Sequence, residues 1–348
     1  MADKIRIGLI GGGNIAQNAH IPAYLNQDDV ELVAICDFNR ERADEVKEKY
    51  GMKYACYAIE DMAKIDEVDA VSVCTWNNAH AEAVIAAARA GKHILCEKPM
   101  AMTVEQCLEM EKAVKASGKV YLQGFVTRMD PECQAIKAAI DEGAMGDIYY
   151  ARCTSMRRRG TPVGWFHNRA KSGGGPVIDI GVHVLDMTWY LMGKPKPVSV
   201  SACAHYNRIG NFKTKGVSRW LAFDQNETVF DTEDSANGLI RFENGVSLNF
   251  DVSWAINGKP ESHNAWIYGD KAGVSVHPAV LYGETGGYQS DTALTLERYN
   301  AFDMEIRHFL DCIKGKDEPL SPIEDGIAIQ RILNGIYESA EAGKEIML

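Results

Sequence analysis

The chain reads as an α/β protein: an N-terminal Rossmann parallel sheet, then a C-terminal α/β domain with a large, mostly antiparallel open sheet. Three observations predict this. A short apolar run, Ile5 to Ile10, breaks at Gly11-Gly12-Gly13 and resumes as Asn14-Ile15-Ala16. Helix and strand patterns then alternate as far as Gly124. From about Ile148 the pattern changes to period-two strands joined by hairpin turns. Apolar runs separated by helices belong to parallel sheets covered on both faces, whereas period-two alternation marks antiparallel strands with one face exposed.

The first turn carries the most information. Gly11, Gly13 and Ala16 have the G-x-G-x-x-A spacing of a dinucleotide-binding βαβ unit. Gly11 permits the tight turn, Gly13 lets a pyrophosphate approach without meeting a Cβ, and Ala16 lets the helix lie close to the sheet. The amides that open this helix, those of Asn14 and Ile15 among them, face a negative ligand. The second apolar run, Val30 to Cys36, ends at Asp37. A carboxylate there accepts hydrogen bonds from the adenosine ribose and repels a 2′-phosphate, which favours NAD over NADP. Arg40 is close enough to offset part of that repulsion, and Asp37 would equally suit an ordinary helix cap.

Next come a charged helix over Arg40 to Tyr50, a strand over Ala70 to Cys74 and an alanine-rich helix over His80 to Ala90. They are followed by a strand over His93 to Cys96, a helix over Val104 to Ser117 and a strand ending at Gly124. The change of pattern sets the domains at 1–124, binding a dinucleotide, and 125–348, binding substrate and supporting oligomerisation. In the second, Ala236 to Phe242 and Val246 to Trp254 form a hairpin about Glu243-Asn244-Gly245. Helices are expected over Pro131 to Glu142, Pro176 to Met192, Phe302 to Lys314 and Ile323 to Ala342. A long open sheet needs cover on both faces, so a homodimer or homotetramer is expected.

Composition sets the outer limits. The 348 residues, 46% hydrophobic and 24% charged, suit two globular cores. A net charge of -11 argues against nucleic acid or an anionic membrane as the main partner. No apolar stretch is long enough to span a bilayer, and Asp3-Lys4 leads directly into the first strand with no signal-peptide pattern, so the expected compartment is the cytoplasm. The nine cysteines form no C-x-x-C pair and no Cys/His set with zinc-ligand spacing. No metal is expected, and the thiols read as buried and reduced.

Two groups carry the chemistry. Glu97-Lys98-Pro99 follows directly on a strand, at the carboxyl edge where open α/β sheets bind ligands. The Lys98 ammonium can stabilise an alkoxide or, with a depressed pKa, accept a proton; a surface pair with Glu97 is the plainer alternative. In the second group Gly173-Gly174-Gly175-Pro176 opens a helix that sets Asp179 and His183 four residues apart on one face. A carboxylate so placed orients an imidazole and stabilises its protonated form. Asp186 lies near the same face, so a solvated polar stripe would look alike. Arg157-Arg158-Arg159 suits either a solvated loop or a grip on an anionic group. Trp165, Phe166 and His167 precede the glycine run, where an aromatic face can stack on a sugar ring if the loop lines a cleft. His205, His263, His277 and His308 read as surface or hydrogen-bonded histidines.

Taken together, the dinucleotide turn, Glu97-Lys98-Pro99 and the glycine-rich Asp179/His183 helix resemble the glucose-fructose oxidoreductase and inositol dehydrogenase family, often called Gfo/Idh/MocA. The resemblance extends over nearly the whole chain, through Cys74-Thr75 with His80, Arg128 with Pro131, and Tyr337-Glu338-Ser339-Ala340. It implies reversible NAD(P)-dependent oxidation of a secondary hydroxyl of a sugar, sugar derivative or cyclitol to a ketone. It carries over Lys98, Asp179 and His183 as the catalytic group. Thr75, Asn77, His80, Glu97 and Lys98 are the expected cofactor contacts beside those at the first turn. Arg128, Arg158, Trp165 and His167, with Asp179 and His183, are the expected substrate contacts. His183 would take the hydroxyl proton, Lys98 would stabilise the developing charge and Asp179 would hold His183; whether His183 or Lys98 is the immediate base stays open. One departure stands out. The family commonly has proline after the threonine, and here Trp76 and Asn77 follow instead. Two other functions fit the same residues: redox-neutral glycoside cleavage with recycled NAD, and a dinucleotide-dependent regulatory protein.

Overall fold

The computed structural model describes residues 4–208, 227–259 and 263–348; Asp3 lies outside them. The chain forms two compact units, Met1–Gly124 with Phe302–Gln330, and Phe125–Ala301 with Arg331–Leu348. Residues 302–330 join the first unit because their apolar side chains belong to its core. Ile306, Phe309 and Leu310 pack with Ile7 and Leu9, while Ile323 and Ile327 share a second cluster with Val84 and Met110.

The first unit is built on β1 (Ile5–Ile10), β2 (Val30–Cys36), β3 (Tyr54–Cys56), β4 (Ala70–Val73), β5 (His93–Glu97) and β6 (Tyr121–Gly124). They form a sheet in the order β3-β2-β1-β4-β5-β6, with every pair parallel. This is the Rossmann arrangement, with the strand order reversing beside β1. Its helices end where their sequences direct. Asn39 accepts a hydrogen bond from Arg42 N to open Arg40–Tyr50, and Gly51, at φ 67°, closes it. Thr103 and Gly118 play the same parts for Val104–Ser117.

In the second unit, β7 (Ile148–Met156), β8 (Pro197–Tyr206), β9 (Glu233–Phe242), β10 (Ser247–Ser253), β11 (His263–Gly269), β12 (Gly273–Ser275), β13 (Val280–Thr285), β14 (Tyr288–Ala293) and β15 (Ile346–Met347) form a second sheet. Among the described residues its order is β14-β13-β12-β11-β7-β10-β9-β8-β15. The neighbours are antiparallel except for β7 and β10, which run parallel. One face packs beneath the buried helix Val182–Leu191. The other carries a polar groove containing Arg152, Asn249, Asp251 and Arg241.

The expected single helix over Pro176 to Met192 instead opens as a π turn, Val177–Gly181, and becomes α-helical from Val182 to Leu191. Among the described residues no helix is long and apolar enough to cross a membrane.

Candidate active site

The turn after β1 is shaped by sterics at two glycines that do different work. Gly11 has φ +100°, and a Cβ there would fall 2.5 Å from the Cys74 carbonyl oxygen, so the fold itself requires glycine. At Gly13 a Cβ would meet nothing within 4 Å. The absent side chain leaves open space over the turn, as a pyrophosphate requires. Asp37 is buried and locked: its Oδ2 accepts from Gly12 N at 2.8 Å and its Oδ1 from Asn39 N at 2.8 Å. Asn39, not Asp37, caps the following helix.

These residues border a cavity of about 330 Å³, within the size range of small-molecule sites. Gly11, Gly13, Asp37, Phe38, Arg42 and Trp76 are among its lining residues. Arg40, expected beside Asp37, instead lies 4.6 Å over the Tyr57 ring. The cation beside Asp37 is Arg42, with Nη1 at 3.5 Å. Trp76 packs edge-on against Phe38, ring centroids 5.0 Å apart, and so forms part of the cavity wall. Asn14 accepts a hydrogen bond from Asn18 at 2.7 Å, and Ile15 is half-buried. The open space at Gly13, the fixed carboxylate and the cavity fit an adenine dinucleotide.

The loops after β4 and β5 correct two of the expected cofactor contacts. His80 is fully buried, with Nδ1 2.7 Å from the Pro99 carbonyl and Nε2 3.2 Å from that of Thr75. It ties the two loops together, and burial pulls its pKa down. Glu97 also points inward. Its Oε1 lies 2.8 Å from His20 Nε2, and its Oε2 accepts from Lys98 N at 3.1 Å. Burial alone would raise the Glu97 pKa, but the His20 hydrogen bond and charge, with the Lys98 charge and N–H, together outweigh it and hold the carboxyl below its ordinary value. Glu97 therefore anchors the Lys98 backbone. The Lys98 side chain is half-buried, as is Thr75, whose hydroxyl donates to Trp76 O at 3.2 Å, and Asn77 is buried.

In the second unit Asp179 lies in the π turn and His183 in the first turn of the helix that follows, both half-buried. Trp254, 1% exposed, donates its indole N–H to Asp179 Oδ2 at 3.0 Å. This fixes the carboxylate. The His263 ring lies 6.4 Å from that of His183, and His277 lies 6.0 Å beyond it, centroid to centroid. Ser155 Oγ holds His263 Nδ1 at 3.2 Å, and burial drives the His263 pKa down to about 4. Trp254 and His263 were missed as site residues. His263 comes from strand pairing, opposite Ser155 across β7 and β11, and Trp254 from a backbone bond to Asp234 far away in sequence, so neither leaves a local spacing to read.

The expected substrate contacts divide. Arg128, at 1% exposed, is a correction: it forms a two-pronged pair with Asp186, Nε to Oδ2 3.0 Å and Nη2 to Oδ1 2.6 Å, between the rings of Phe125 and Tyr190. Asp186 consequently turns inward and is no part of a solvated stripe. His167 is buried, hydrogen-bonded to the Thr161 hydroxyl and edge-on to Phe230, and burial lowers its pKa to about 4. Trp165 stacks on Phe166 at 3.9 Å, and Arg158 is exposed. Arg157 and Arg159 bind loop carbonyls. Among the described residues no group of His, Cys, Asp and Glu is arranged to hold a metal ion.

Comparison with known proteins identifies the family of both parts of the chain. A model of an oxidoreductase family with an NAD-binding Rossmann fold matches residues 5–125, and the C-terminal α/β domain of that family matches residues 137–348. D-glucoside 3-dehydrogenase of Escherichia coli (strain K12) is 35% identical over 355 residues, covering 100% of this chain and 98% of the relative. Inositol 2-dehydrogenase of Rhizobium meliloti (strain 1021) is 28% identical over 345 residues, covering 99% of each. The crystal structure of an aldose-aldose oxidoreductase from Caulobacter crescentus superposes with a TM-score of 0.82 at 26% identity, covering 99% of this chain and 100% of that one.

Proposed function

The chain belongs to the Gfo/Idh/MocA family of oxidoreductases, and from that premise we propose that it oxidises a secondary hydroxyl of a glucoside-like sugar, with His183 as the base. It is an NAD-dependent oxidoreductase acting on a small sugar or cyclitol. The single observation that supports the finer reading is the Trp254 N–H bond to Asp179, four residues before His183. A fixed carboxylate four residues before an imidazole suits a general base that must stay oriented and carry the proton it accepts.

Gly11, Gly13 and Asp37 hold the dinucleotide, and the locked Asp37 carboxylate favours NAD over NADP. When bound, NAD+ supplies the acceptor for the hydride leaving the carbinol carbon. His183 takes the hydroxyl proton. Lys98, its backbone pinned by Glu97, offers a cation suited to stabilising a developing alkoxide. Asp179 keeps the His183 ring in place. Trp165 stacks against the sugar face, and Arg158 meets its hydroxyls. The 35% identity with a glucoside 3-dehydrogenase supports a glycoside ahead of a cyclitol. The protein works in the cytoplasm, where its nine cysteines, none in a disulfide, stay reduced. It assembles as a homodimer or homotetramer over the polar face of the second sheet.

The test is NADH formation by the purified protein with NAD+ and a panel of glycosides, free sugars, anhydrosugars and inositols, repeated for His183→Ala. A glycoside-dependent signal is expected, with kcat falling at least about a hundredfold in the variant while NADH binding is retained. Equal loss of turnover and NADH binding would make His183 structural. Silence across the panel with intact NADH binding would move the assignment to redox-neutral cleavage or regulation.

A further inference from the structure

The glycine run and Tyr337 have no part in the chemistry above, yet the fold gathers both around one buried carboxylate. Glu233 opens β9 and is 1% exposed. Its Oε2 accepts from Gly175 N at 3.0 Å, and its Oε1 accepts from Val177 N at 3.1 Å and from the Tyr337 hydroxyl at 2.8 Å. A buried carboxylate without partners would be strongly destabilising. Here three donors meet it.

The glycines make room for this arrangement. A Cβ on Gly174 would overlap the Tyr337 hydroxyl, and one on Gly175 would lie 2.5 Å from the Glu233 carbonyl oxygen. Two of the three glycines are therefore required by Glu233 and the residue bonded to it. The amides that Glu233 holds belong to the turn that carries Asp179, whose own N–H bonds Gly175 O at 3.1 Å. The next residue, Asp234, acts on the Asp179 carboxylate through Trp254. The Asp234 carbonyl accepts from Trp254 N at 2.9 Å, and the Trp254 indole holds Asp179.

We propose that Glu233 is a positioning residue for Asp179 and His183, setting through the Gly175 and Val177 amides the π turn that carries Asp179 and leads into the helix that carries His183. The inference rests on the dehydrogenase reading only for its kinetic consequence. A helix that merely needed its amides satisfied would accept any buried acceptor. A turn that positions a base needs this one, because Glu233 ties it to β9, and β9 also ties down Trp254.

The experiment uses the full-length protein labelled at histidine and follows the His183 resonance, assigned with His183→Gln, through a pH titration without substrate or cofactor. The groups near these residues are His263 beside His183, with Asp179 four residues before it, and Tyr337, with Arg169 over its ring, around Glu233. In Glu233→Gln an amide NH2 must meet a backbone N–H, and Asp179 loses its alignment. The His183 midpoint is expected to fall and, where the enzyme turns over, kcat to fall about tenfold, with sugar KM and NADH affinity within about twofold of wild type. Tyr337→Phe, which keeps the carboxylate, should shift both the same way by less. An unshifted His183 midpoint in Glu233→Gln overturns the proposal, whatever happens to the melting temperature. If Glu233→Gln does not fold, Tyr337→Phe decides by the same criterion. A wild-type protein that makes no NADH overturns the dehydrogenase reading, and the titration still decides the role of Glu233.

Discussion

Arg128 shows why a residue type at the right place in a motif is not yet a role. It resembles a family substrate contact, but both prongs of its guanidinium are taken by Asp186 in a pair shut away from solvent. A substrate contact and a buried strut respond oppositely to truncation. Arg128→Ala leaves an uncompensated buried carboxylate, a loss of about 3–5 kcal/mol, so the expected result is a large fall in melting temperature. A normal melting temperature with raised sugar KM would restore the substrate-contact reading. Trp254 is the converse case, a site residue carried by one polar atom. Trp254→Phe keeps most of the apolar contact and removes only the N–H that fixes Asp179. Hydrogen bonds to charged groups are worth about 1.5–3 kcal/mol, so kcat should fall roughly tenfold or more while NADH affinity is unchanged. Unaltered kcat would show that Asp179 is oriented by other means.

The turn between β1 and its helix contains two glycines that look interchangeable in the sequence and differ in the fold. Gly11 is demanded by the protein, through φ +100° and contact with Cys74, whereas Gly13 faces open space. Gly11→Ala should therefore lose both thermal stability and NADH binding. Gly13→Ala should melt like wild type and bind NADH at least about tenfold more weakly, because its Cβ occupies the pyrophosphate approach. Tight NADH binding by Gly13→Ala, measured by fluorescence titration, would put the dinucleotide elsewhere. This turn was legible because its constraints are local: strand, glycines, helix and acidic residue all lie within one βαβ unit. The parallel alternation was legible for the same reason. What was not legible depends on distant pairing or on a small departure from regular geometry. β3 has three residues, too few to show a period. The π turn beneath Asp179 has the same apolar spacing as an α-helix to within one residue. His263 reaches His183 only because β11 pairs with β7, and the return of residues 302–330 to the first core follows from burial that no sequence window contains.

At the scale of the whole molecule, buried histidines decide how stability responds to acid. Burial lowers His167 and His263 to about 4, and lowers His80, His93 and His277 as well. Below an unfolded-state pKa of about 6.5, the unfolded chain binds protons on these rings that the folded chain resists, His167 and His263 until pH is near 4. Their contribution is complete above the unfolded value and is lost as pH falls through that window. Two effects work the other way. Burial raises Asp130 to about 6 and raises Glu233, so those carboxyls gain stability as they protonate. The repulsion of a net charge of -11 also relaxes on acidification. That repulsion is spread over the surface and screened by salt, whereas the histidine desolvation is internal and is not. At physiological ionic strength the histidines should therefore win, and the melting temperature should fall by several degrees between about pH 7 and pH 5. His167→Gln removes one contributor and should flatten that slope while lowering stability at neutral pH through the lost packing on Phe230 and Trp254. A melting temperature that is level or rising over this interval would mean that relief of surface charge outweighs the buried rings. A wild-type slope in His167→Gln would place the acid sensitivity in other groups.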